Sequence, residues 1–461
     1  MVFESRALEK LCSIVPNTQY AVAVSGGVDS IVLMRLVAKV RTCGSPGVPV
    51  VLTVNHGFRP EAENEVLFVR AQASLLGLEC KILSWNNHTP KKTQEAARAI
   101  RYQLIEEWCV ENSIKFLLTA HSKNDQAETV LMRLERGSGI DGLAGMRERS
   151  LLGSITILRP LLEFTRKEIQ DYAHQERQPW IEDNSNKNPK YKRTFYRRFI
   201  SEAGNPDILI SRLCVTSEHM RRALHCMLHY VQSAVDVCLE FSPWGCVIIK
   251  TQELFKVHEE VARRLLLFIL MTMGNKTVKP RYKNFSAAFA KIWSDEDFSP
   301  FTMHGCKVLK SQDGNITIVR EVRHIATKTY VVIPSTIHWD GRFELAFSNV
   351  VEEDSCPKSS IAGGVLKAED ITPCGKSENG SVVSDRDITL YVTPLGTKPL
   401  PEYMKHLCRE VACGLPVLVQ GDKVLAYPMQ NNDTYRIPGF SIARILLRDR
   451  VVSLICTQLD L

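Results

Sequence analysis

The chain has 461 residues, of which 44% are apolar and 24% charged, a composition that predicts a globular protein of about two to four domains. Its net charge of +7 permits a polyanionic partner without requiring one. The 14 cysteines contain no Cys-x-x-Cys pair, and the longest apolar run, Leu265 to Met273, is shorter than the roughly 20 residues that cross a bilayer, which excludes zinc-ribbon, thioredoxin-type and membrane-spanning classes.

The amino end and the cysteines bear on the compartment. Glu4 and Glu9 lie among Arg6 and Lys10, which is unlike a signal peptide. Scattered cysteines in a long chain are typical of reduced thiols. We therefore expect a cytoplasmic protein that does not associate with membranes.

Up to about residue 120, short β-branched runs alternate with helical patterns. The predicted strands cover 20–24, 49–54, 79–83 and 115–119, and apolar residues at 3-4 spacing predict helices over 62–76 and 97–108. This alternation predicts an α/β fold with a parallel sheet covered on both faces, whose ligands bind at the carboxyl ends of the strands.

A glycine loop, Ser25-Gly26-Gly27-Val28-Asp29-Ser30, follows the first of these strands and leads into a helix predicted over about 30–40. Two glycines let the backbone turn and approach an anion, and the amides that open the helix point toward it. The hydroxyls of Ser25 and Ser30 add donors, whereas Asp29 indicates a bridging divalent cation or a helix cap. The lysine of Walker loops is missing, which argues against a kinase or GTPase.

A second polar segment, residues 121–129, follows the strand at 115–119 and is expected at the same edge of the sheet as the glycine loop. On a helix, His121, Asp125 and Glu128 share one face. Two carboxylates beside a phosphate are typical Mg²⁺ ligands, and one of them is instead a candidate to take a proton from an incoming amine.

The densest basic segment is 187–198, with six basic and three aromatic residues among twelve. Interleaved cations and rings suit single-stranded RNA, whose splayed bases stack on aromatic side chains. A solvated basic helix face is the alternative.

Beyond about residue 202 the strand–helix alternation stops. Helices are predicted over 213–237, 259–274 and 285–293, and β-like pieces at 316–319, 330–333 and 451–456. The polar stretch 352–387 predicts a long loop. This order predicts a helical module followed by a small mixed domain.

Several motifs, taken in order, resemble one family. They are SGGVDS at 25–30, NHGFRP at 55–60, HSKNDQAET at 121–129, RGSGIDGLAGM at 136–146, RPLL at 159–162 and WIEDNSN at 180–186. Together they resemble the tRNA(Ile)-lysidine synthase family of the PP-loop ATP pyrophosphatase superfamily. The resemblance covers residues 20 to about 200 and continues beyond them as a domain layout.

The resemblance implies three domains. A PP-loop catalytic domain, with the parallel sheet of adenine nucleotide alpha hydrolases, is expected over 1–210, a helical tRNA-binding domain over 211–325, and a small mixed α/β tRNA-binding domain over 326–461. The two later domains are implied to grip the acceptor stem or body of the tRNA and to select isoleucine over methionine tRNA. A homodimer is common among relatives, although no heptad or apolar stripe marks an interface.

The implied reaction uses ATP and Mg²⁺. ATP adenylates the carbonyl oxygen at carbon 2 of the wobble cytidine in CAU-anticodon isoleucine tRNA, and the ε-amine of free L-lysine then displaces AMP. The product, lysidine, changes codon reading from AUG to AUA and tRNA identity from methionine to isoleucine.

The same resemblance implies roles for individual residues. Catalytic roles fall to Asp29, Asp125, Glu128 and Arg193, with Asp125 as the proton acceptor and with Asp29, Asp125 and Glu128 as Mg²⁺ ligands. The residues implied to bind ATP are Ser25, Gly26, Gly27, Val28, Asp29, Ser30, His56, Arg59 and His121. The chain departs from the family pattern at Asn124, where Asp is common, and at Thr194, where Asn is common.

Three alternative functions fit the sequence less well. A tRNA thiolase on the same fold usually needs paired cysteines, which this chain lacks. A glutamine-dependent synthetase would need a glutaminase region that the sequence does not show. A non-catalytic tRNA-binding protein would not need the intact 25–30 loop, Asp125 and Glu128.

Overall fold

The computed structural model describes residues 2–44, 46–55, 61–85, 94–182, 192–294, 298–331, 335–347, 390–420, 423–427 and 440–459. The chain forms two compact units, residues 1–226 and 227–459. The domain boundaries near residues 210 and 325 stay predictions.

A six-stranded sheet forms the centre of the first unit. Its strands are β1 (Gln19–Ala23), β2 (Val48–Asn55), β3 (Glu79–Ser84), β4 (Phe116–Leu118), β5 (Arg149–Leu152) and β6 (Ile155–Leu158). They lie in the order β3-β2-β1-β4-β6-β5, and all neighbours are parallel except β5 and β6. The four predicted strands are confirmed, whereas the β5–β6 hairpin was missed because its strands are too short to show a period.

Helices cover both faces of this sheet. The helices of the first unit are α1 (Val2–Ile14), α2 (Val28–Thr42), α3 (Glu61–Leu75), α4 (Gln94–Glu111), α5 (Lys123–Glu135), α6 (Ile140–Leu143), α7 (Arg166–Gln175), α8 (Lys192–Ser201) and α9 (Pro206–Cys238), which continues into the second unit. Side chains alternate along β1, so Tyr20 and Val22 join the core that contains Leu33 of α2, whereas Ala21 joins the core that contains Ile105 of α4. The predicted α/β fold with a covered parallel sheet is therefore confirmed.

The topology brings two distant segments to one edge of the sheet. β1 and β4 are parallel neighbours, with Ala21 opposite Leu117. The glycine loop follows β1, and the segment that begins α5 follows β4. Both therefore leave the sheet at its carboxyl edge, as predicted.

The second unit is built on antiparallel sheets. Its strands are β7 (Leu239–Phe241), β8 (Val247–Ile249), β9 (Phe301–Met303), β10 (Cys306–Lys310), β11 (Ile316–Arg320), β12 (Thr329–Tyr330), β13 (Ser335–Trp339), β14 (Phe343–Phe347), β15 (Leu390–Pro394), β16 (Pro416–Gln420), β17 (Lys423–Ala426) and β18 (Phe440–Ile445). Its other helices are α10 (Thr251–Leu254), α11 (Glu259–Met273), α12 (Tyr282–Trp293), α13 (Arg409–Cys413) and α14 (Leu447–Leu459). The sheet orders are β7-β8-β11-β10-β9, β12-β15-β16-β17 and β13-β14-β18.

The three long helices predicted beyond residue 202 are confirmed in α9, α11 and α12, and the strand at 316–319 in β11. The strand predicted over 451–456 is wrong, because these residues lie in α14. Leu447, Val451 and Ile455 are fully buried, and their four-residue spacing is that of one helix face. Tertiary burial thus overrides the β-branched pair at 451–452. The predicted loop over 352–387 lies outside the described residues.

The apolar run from Leu265 to Met273 forms the buried part of α11, as predicted. Among the described helices, none is both long and apolar enough to cross a membrane.

Candidate active site

The glycine loop makes a tight turn that presents the first amides of α2. Gly26 has φ +88°, and its carbonyl accepts a hydrogen bond from the Ile181 amide at 2.9 Å. A Cβ atom at Gly26 would lie 3.0 Å from Cδ1 of Ile181, so both conformation and space favour glycine. Gly27 is the N-cap of α2, and no described side chain caps it. The helix N-terminus is therefore open to an anion.

The two serines hold this loop in shape. Ser30 Oγ donates to the Gly27 carbonyl at 2.8 Å and accepts from the Ser25 amide at 3.2 Å. The Ser25 and Ser30 hydroxyls lie 3.4 Å apart. Ser30 is buried, so its hydroxyl serves the loop conformation in this structure.

The N-terminus of α5 fixes the orientation of Asp125. Ser122 is the N-cap, and Asp125 Oδ2 accepts from its amide at 2.9 Å and from its hydroxyl at 2.8 Å. This is a capping box, which turns the second oxygen of Asp125 away from the helix. Asp125 and Glu128 are both buried on this helix, whereas His121 precedes it. The predicted shared helix face therefore holds for the two carboxylates alone.

Helix α8 brings two arginines onto these carboxylates. Arg193 Nε donates to Glu128 Oε2, and Arg197 Nε to Glu128 Oε1, both at 2.8 Å. Arg193 Nη2 also donates to Asp125 Oδ1 at 3.2 Å. Each oxygen of Glu128 thus holds one arginine. Arg197 was missed by the sequence analysis, although its four-residue spacing from Arg193 places both on one helix face.

Arg166 is a second residue that the sequence analysis missed. Its Nη2 lies 3.1 Å from Asp29 Oδ2 and 3.7 Å from Asp125 Oδ1, so one guanidinium bridges the two segments at the sheet edge. The backbone amide of Arg166 donates to Asn124 Oδ1 at 2.9 Å. Asn124, which departs from the family pattern, therefore positions the first residue of α7. The capping box Thr165-x-x-Glu168 marks the start of this helix and was a signal that could have located Arg166.

The two aspartates at this edge differ in electrostatics. Burial raises the pKa of Asp29 above its ordinary value, and the charge of Arg166 offsets only part of that effect. Burial also acts upward on Asp125, but the charges of Arg193 and Arg166 hold its pKa well below the ordinary value. Asp29 Oδ1 is buried and has no hydrogen-bond partner in the part of the chain that the structure describes.

His121 is a neutral side chain in this structure. Burial lowers the pKa of His121 to about 3, although the charge of Asp125 acts in the opposite direction. Its Nε2 lies 3.4 Å from Arg98 Nη2, and its Nδ1 lies 3.0 Å from Thr119 Oγ1. Because arginine only donates, Nε2 is the acceptor and Nδ1 carries the proton. His121 therefore offers no free proton-accepting nitrogen.

Other predicted site residues are only partly described. His56 and Arg59 lie outside the described residues, as do positions 187–191 of the basic segment. On α8, Tyr196 is buried, whereas Phe195 and Phe199 are 58% and 50% exposed. The helix thus turns two arginines inward and two phenylalanines outward.

The chain is similar in sequence to a known family of proteins over most of its length. A PP-loop domain model matches residues 2–203. The chain is 53% identical to the tRNA(Ile)-lysidine synthase of Anaplasma marginale (strain St. Maries), over 99% of this chain and 95% of that protein. It is 40% identical to the tRNA(Ile)-lysidine synthase of Wolbachia pipientis wMel, over 90% of this chain and 89% of that protein.

Among solved structures, a U34-tRNA thiolase from Methanococcus maripaludis with its [4Fe-4S] cluster superposes with a TM-score of 0.42 at 17% identity, over 48% of this chain and 80% of that one. The sequence relatives decide the family, because the similarity extends over nearly the full length of both chains and confirms the resemblance carried by the motifs. The chain belongs to the tRNA(Ile)-lysidine synthase family.

Proposed function

We propose that this chain performs the reaction for which its family is named. The carbonyl oxygen at carbon 2 of the wobble cytidine in CAU-anticodon tRNA(Ile) attacks the α-phosphorus of ATP, and pyrophosphate leaves. The ε-amine of free L-lysine then attacks carbon 2, the bond from that carbon to the AMP oxygen breaks, and the amine gives up a proton. The products are lysidine, AMP and pyrophosphate, and the tRNA reads AUA with isoleucine identity.

The observation that carries this proposal is the cluster at the carboxyl edge of the sheet. An open helix N-terminus at Gly27 lies in the same segment as Asp29, which Arg166 joins to Asp125. Arg193 and Arg197 add two more cations beside Asp125. Fixed amides and guanidinium groups of this kind stabilise the negative charge that develops as a phosphoryl bond breaks. The cluster supports nucleotide activation with loss of pyrophosphate.

The glycine loop is the proposed binding site of the ATP phosphates. The segment Ser25–Ser30 supplies backbone amides at a turn that only glycine adopts easily, since Gly26 has φ +88°. Ser30 stabilises the turn through Gly27, and Val28 begins the helix whose amides point at the anion. We also propose that His56, Arg59 and His121 contribute to binding ATP.

The residues at this edge fit Mg²⁺ in part. The described residues contain no cluster of three or more His, Cys, Asp or Glu side chains placed to hold a metal, but Mg²⁺ beside a nucleotide commonly takes one or two carboxylates and completes its shell with phosphates and water. Asp29, with its unpartnered buried Oδ1, and Asp125 supply that pair. When bound, Mg²⁺ would neutralise phosphate charge during attack on the α-phosphorus.

Glu128 has a different environment from the two aspartates. Both of its oxygens accept from arginines, so we assign it to holding Arg193 and Arg197 toward the phosphates. The prediction that Glu128 is itself a Mg²⁺ ligand stays open to test and would require it to give up an arginine.

The lysine amine needs a proton acceptor, because its ordinary pKa of about 10.4 leaves it protonated at neutral pH. Asp125 is the proposed acceptor. In this structure Arg193 lowers the pKa of Asp125, so Asp125 gains basicity when Arg193 turns from it to the phosphates. The proposal thus couples proton transfer to movement of one arginine.

The test is to incubate the full-length protein with ATP, Mg²⁺, radiolabelled lysine and a CAU-anticodon tRNA(Ile) transcript, and to count label retained on RNA. Label that requires ATP, and that is lost when the wobble cytidine is replaced by uridine, supports the proposal. No label, with tRNA-dependent ATP consumption, would instead indicate another base modification. Asp125→Asn should abolish incorporation, whereas Asp171→Asn, at an exposed aspartate of α7, should retain it.

A further inference from the structure

The side chain of Gln126 is bonded to the backbone of the glycine-rich segment 136–146. Its Nε2 donates to the Met146 carbonyl at 3.0 Å, and the Met146 amide donates to its Oε1 at 2.7 Å. Because a backbone amide only donates and a carbonyl only accepts, one orientation of the Gln126 amide satisfies both bonds. Nε2 also donates to the Ser217 hydroxyl at 3.3 Å. Gln126 is 4% exposed, so these three bonds replace the water that its amide gives up on folding.

Helix α9 contributes to the same junction. Arg221 Nη2 donates to the Met146 carbonyl at 3.2 Å, and Arg221 lies four residues after Ser217, so both side chains lie on one face of α9. The thiol of Cys214 donates to the carbonyl of Lys123, in the first turn of α5, at 3.6 Å. All of these residues belong to the first unit. The start of α5 is therefore fixed by α9 as well as by the glycine-rich segment.

The junction fits closely at Gly145. This residue has φ +70°, a conformation that favours glycine, and a Cβ atom there would lie 2.4 Å from Ser217 Oγ and 2.6 Å from Gln126 Nε2. Arg133 Nη1 donates to the carbonyls of Gly142 and Gly145 at 2.8 and 2.9 Å. Gln126 and Arg133 are seven residues apart and so lie on one face of α5. The segment thus packs against that face along two turns of the helix.

This attachment bears on the neighbouring residue, Asp125. Successive residues of a helix point about 100° apart, so Gln126 binds the segment while Asp125 faces the arginines. Asp125 Oδ1 lies 3.2 Å from Arg193 Nη2 and 3.7 Å from Arg166 Nη2. The capping box fixes the Asp125 side chain relative to α5. A carboxylate about 5 Å from the helix axis still moves about 1 Å when the whole helix turns by about 10°.

We propose that Gln126 is a positioning residue for the reaction: by binding Met146 and Ser217, it sets the rotation of α5 and thereby the place of Asp125. Gln126 itself does not touch the reacting groups, since its amide is used by the junction. That the reaction is lysidine formation rests on the proposed function. Because a shift of a reacting group by about 1 Å lowers the rate about 100-fold, loss of the junction should lower kcat far more than it weakens substrate binding.

The test compares two buried glutamines of the first unit in the full-length protein. Gln178 is 5% exposed, and its side chain also makes three hydrogen bonds, which join it to Arg35, Gln72 and Pro179. Gln126→Met and Gln178→Met each remove a buried amide, so both should lower the thermal midpoint to a similar degree. Only Gln126→Met should lower kcat about 100-fold, with KM for ATP and tRNA within threefold of wild type. Equal kcat values for the two variants would overturn the proposal.

A milder variant keeps the test decisive if Gln126→Met folds poorly. Gln126→Glu retains the acceptor for the Met146 amide and loses only the donor group, so its kcat should recover to about tenfold below wild type. A wild-type kcat in Gln126→Glu would count against the proposal, because this variant cannot donate to Met146 or Ser217.

Amide hydrogen exchange gives a readout that does not depend on activity. Gln126→Met should speed exchange at least about tenfold in peptides covering 136–146 and the first turn of α5, because both lose an anchoring partner. Gln178→Met should leave these peptides unchanged. Wild-type exchange in Gln126→Met would overturn the positioning role even where the rate falls. If the wild-type protein forms no lysidine, the proposed function fails, and the exchange pattern still decides whether Gln126 holds α5.

Discussion

Replacing Glu128 tests how Arg193 and Arg197 are held. Glu128 is 1% exposed, and each of its oxygens accepts one arginine Nε at 2.8 Å. In Glu128→Gln the amide oxygen still accepts from one arginine, but the NH₂ group faces the other donor. We therefore expect one guanidinium to lose its partner and move toward solvent.

The structure sets the size of the effect. A hydrogen bond between charged groups contributes about 1.5 to 3 kcal/mol, and the side chains of Arg193 and Arg197 are 31% and 28% exposed, so water recovers part of that energy. We expect Glu128→Gln to destabilise the first unit by about 2 kcal/mol, which corresponds to a thermal midpoint lower by about 4 to 8 °C. Displacement of an arginine by about 1 Å should lower kcat about 100-fold.

The assays are thermal unfolding and single-turnover lysidine formation at several Mg²⁺ concentrations. Glu135→Gln is the matched control, because Glu135 also joins α5 to α8, through Lys192 at 2.9 Å, but both side chains are exposed. Such a surface pair contributes about 0 to 1 kcal/mol, so this variant should resemble wild type. Unchanged stability and rate in Glu128→Gln would refute the reasoning, and rescue by excess Mg²⁺ would show that Glu128 is instead a metal ligand.

Three further predictions concern other parts of the site. Arg166→Ala should raise KM for ATP at least tenfold, measured by initial rates, because the cation beside Asp29 and the glycine loop is lost. His121→Gln should remove the part of the acid-induced loss of folding stability that His121 causes. The pKa of His121 lies near 3 in the folded chain and near 6.5 in the unfolded chain. The free energy of unfolding of the wild type therefore decreases as pH falls below 6.5, by up to about 1.4 kcal/mol per pH unit. Phe195→Ala/Phe199→Ala should weaken binding of an anticodon stem-loop RNA about tenfold without changing KM for ATP, because both rings face outward on α8.

Each of these predictions has a control and a contradicting result. For Arg166, the exposed neighbour Lys167 provides Lys167→Ala, and equal KM values for the two variants would contradict a phosphate role. For His121, identical unfolding profiles for wild type and His121→Gln between pH 5 and 6.5 would contradict a neutral His121 ring in the folded chain. For the phenylalanines, a loss of affinity restricted to full-length tRNA would place their contact outside the anticodon.

Buried ion pairs in the second unit make deletion of residues 326–461 a poor test of tRNA selection. Deleting residues 326–461 would remove Asp340, whose buried carboxylate pairs with both Arg320 and Arg342. Arg320 would then remain buried without its carboxylate, which costs several kcal/mol. Point substitutions on exposed side chains therefore test tRNA selection better than truncation does.

The local part of this architecture could be predicted from the sequence. Alternating strand and helix periods predicted four strands of the sheet, because those periods follow from the backbone itself. The rule that parallel strands end at one edge then placed the glycine loop beside Asp125. The same patterns missed β5 and β6 and misassigned 451–456, where short length or burial outweighs local preference.

The sequence by itself thus determined the fold class, the nucleotide loop and the two carboxylates of α5. Only the tertiary structure decided which cations face them. Arg166 reaches Asp29 across 137 residues and Arg197 reaches Glu128 across 69, and no local period encodes such pairings. They arise because a buried carboxylate requires a partner and the packing of α7 and α8 brings arginines within reach.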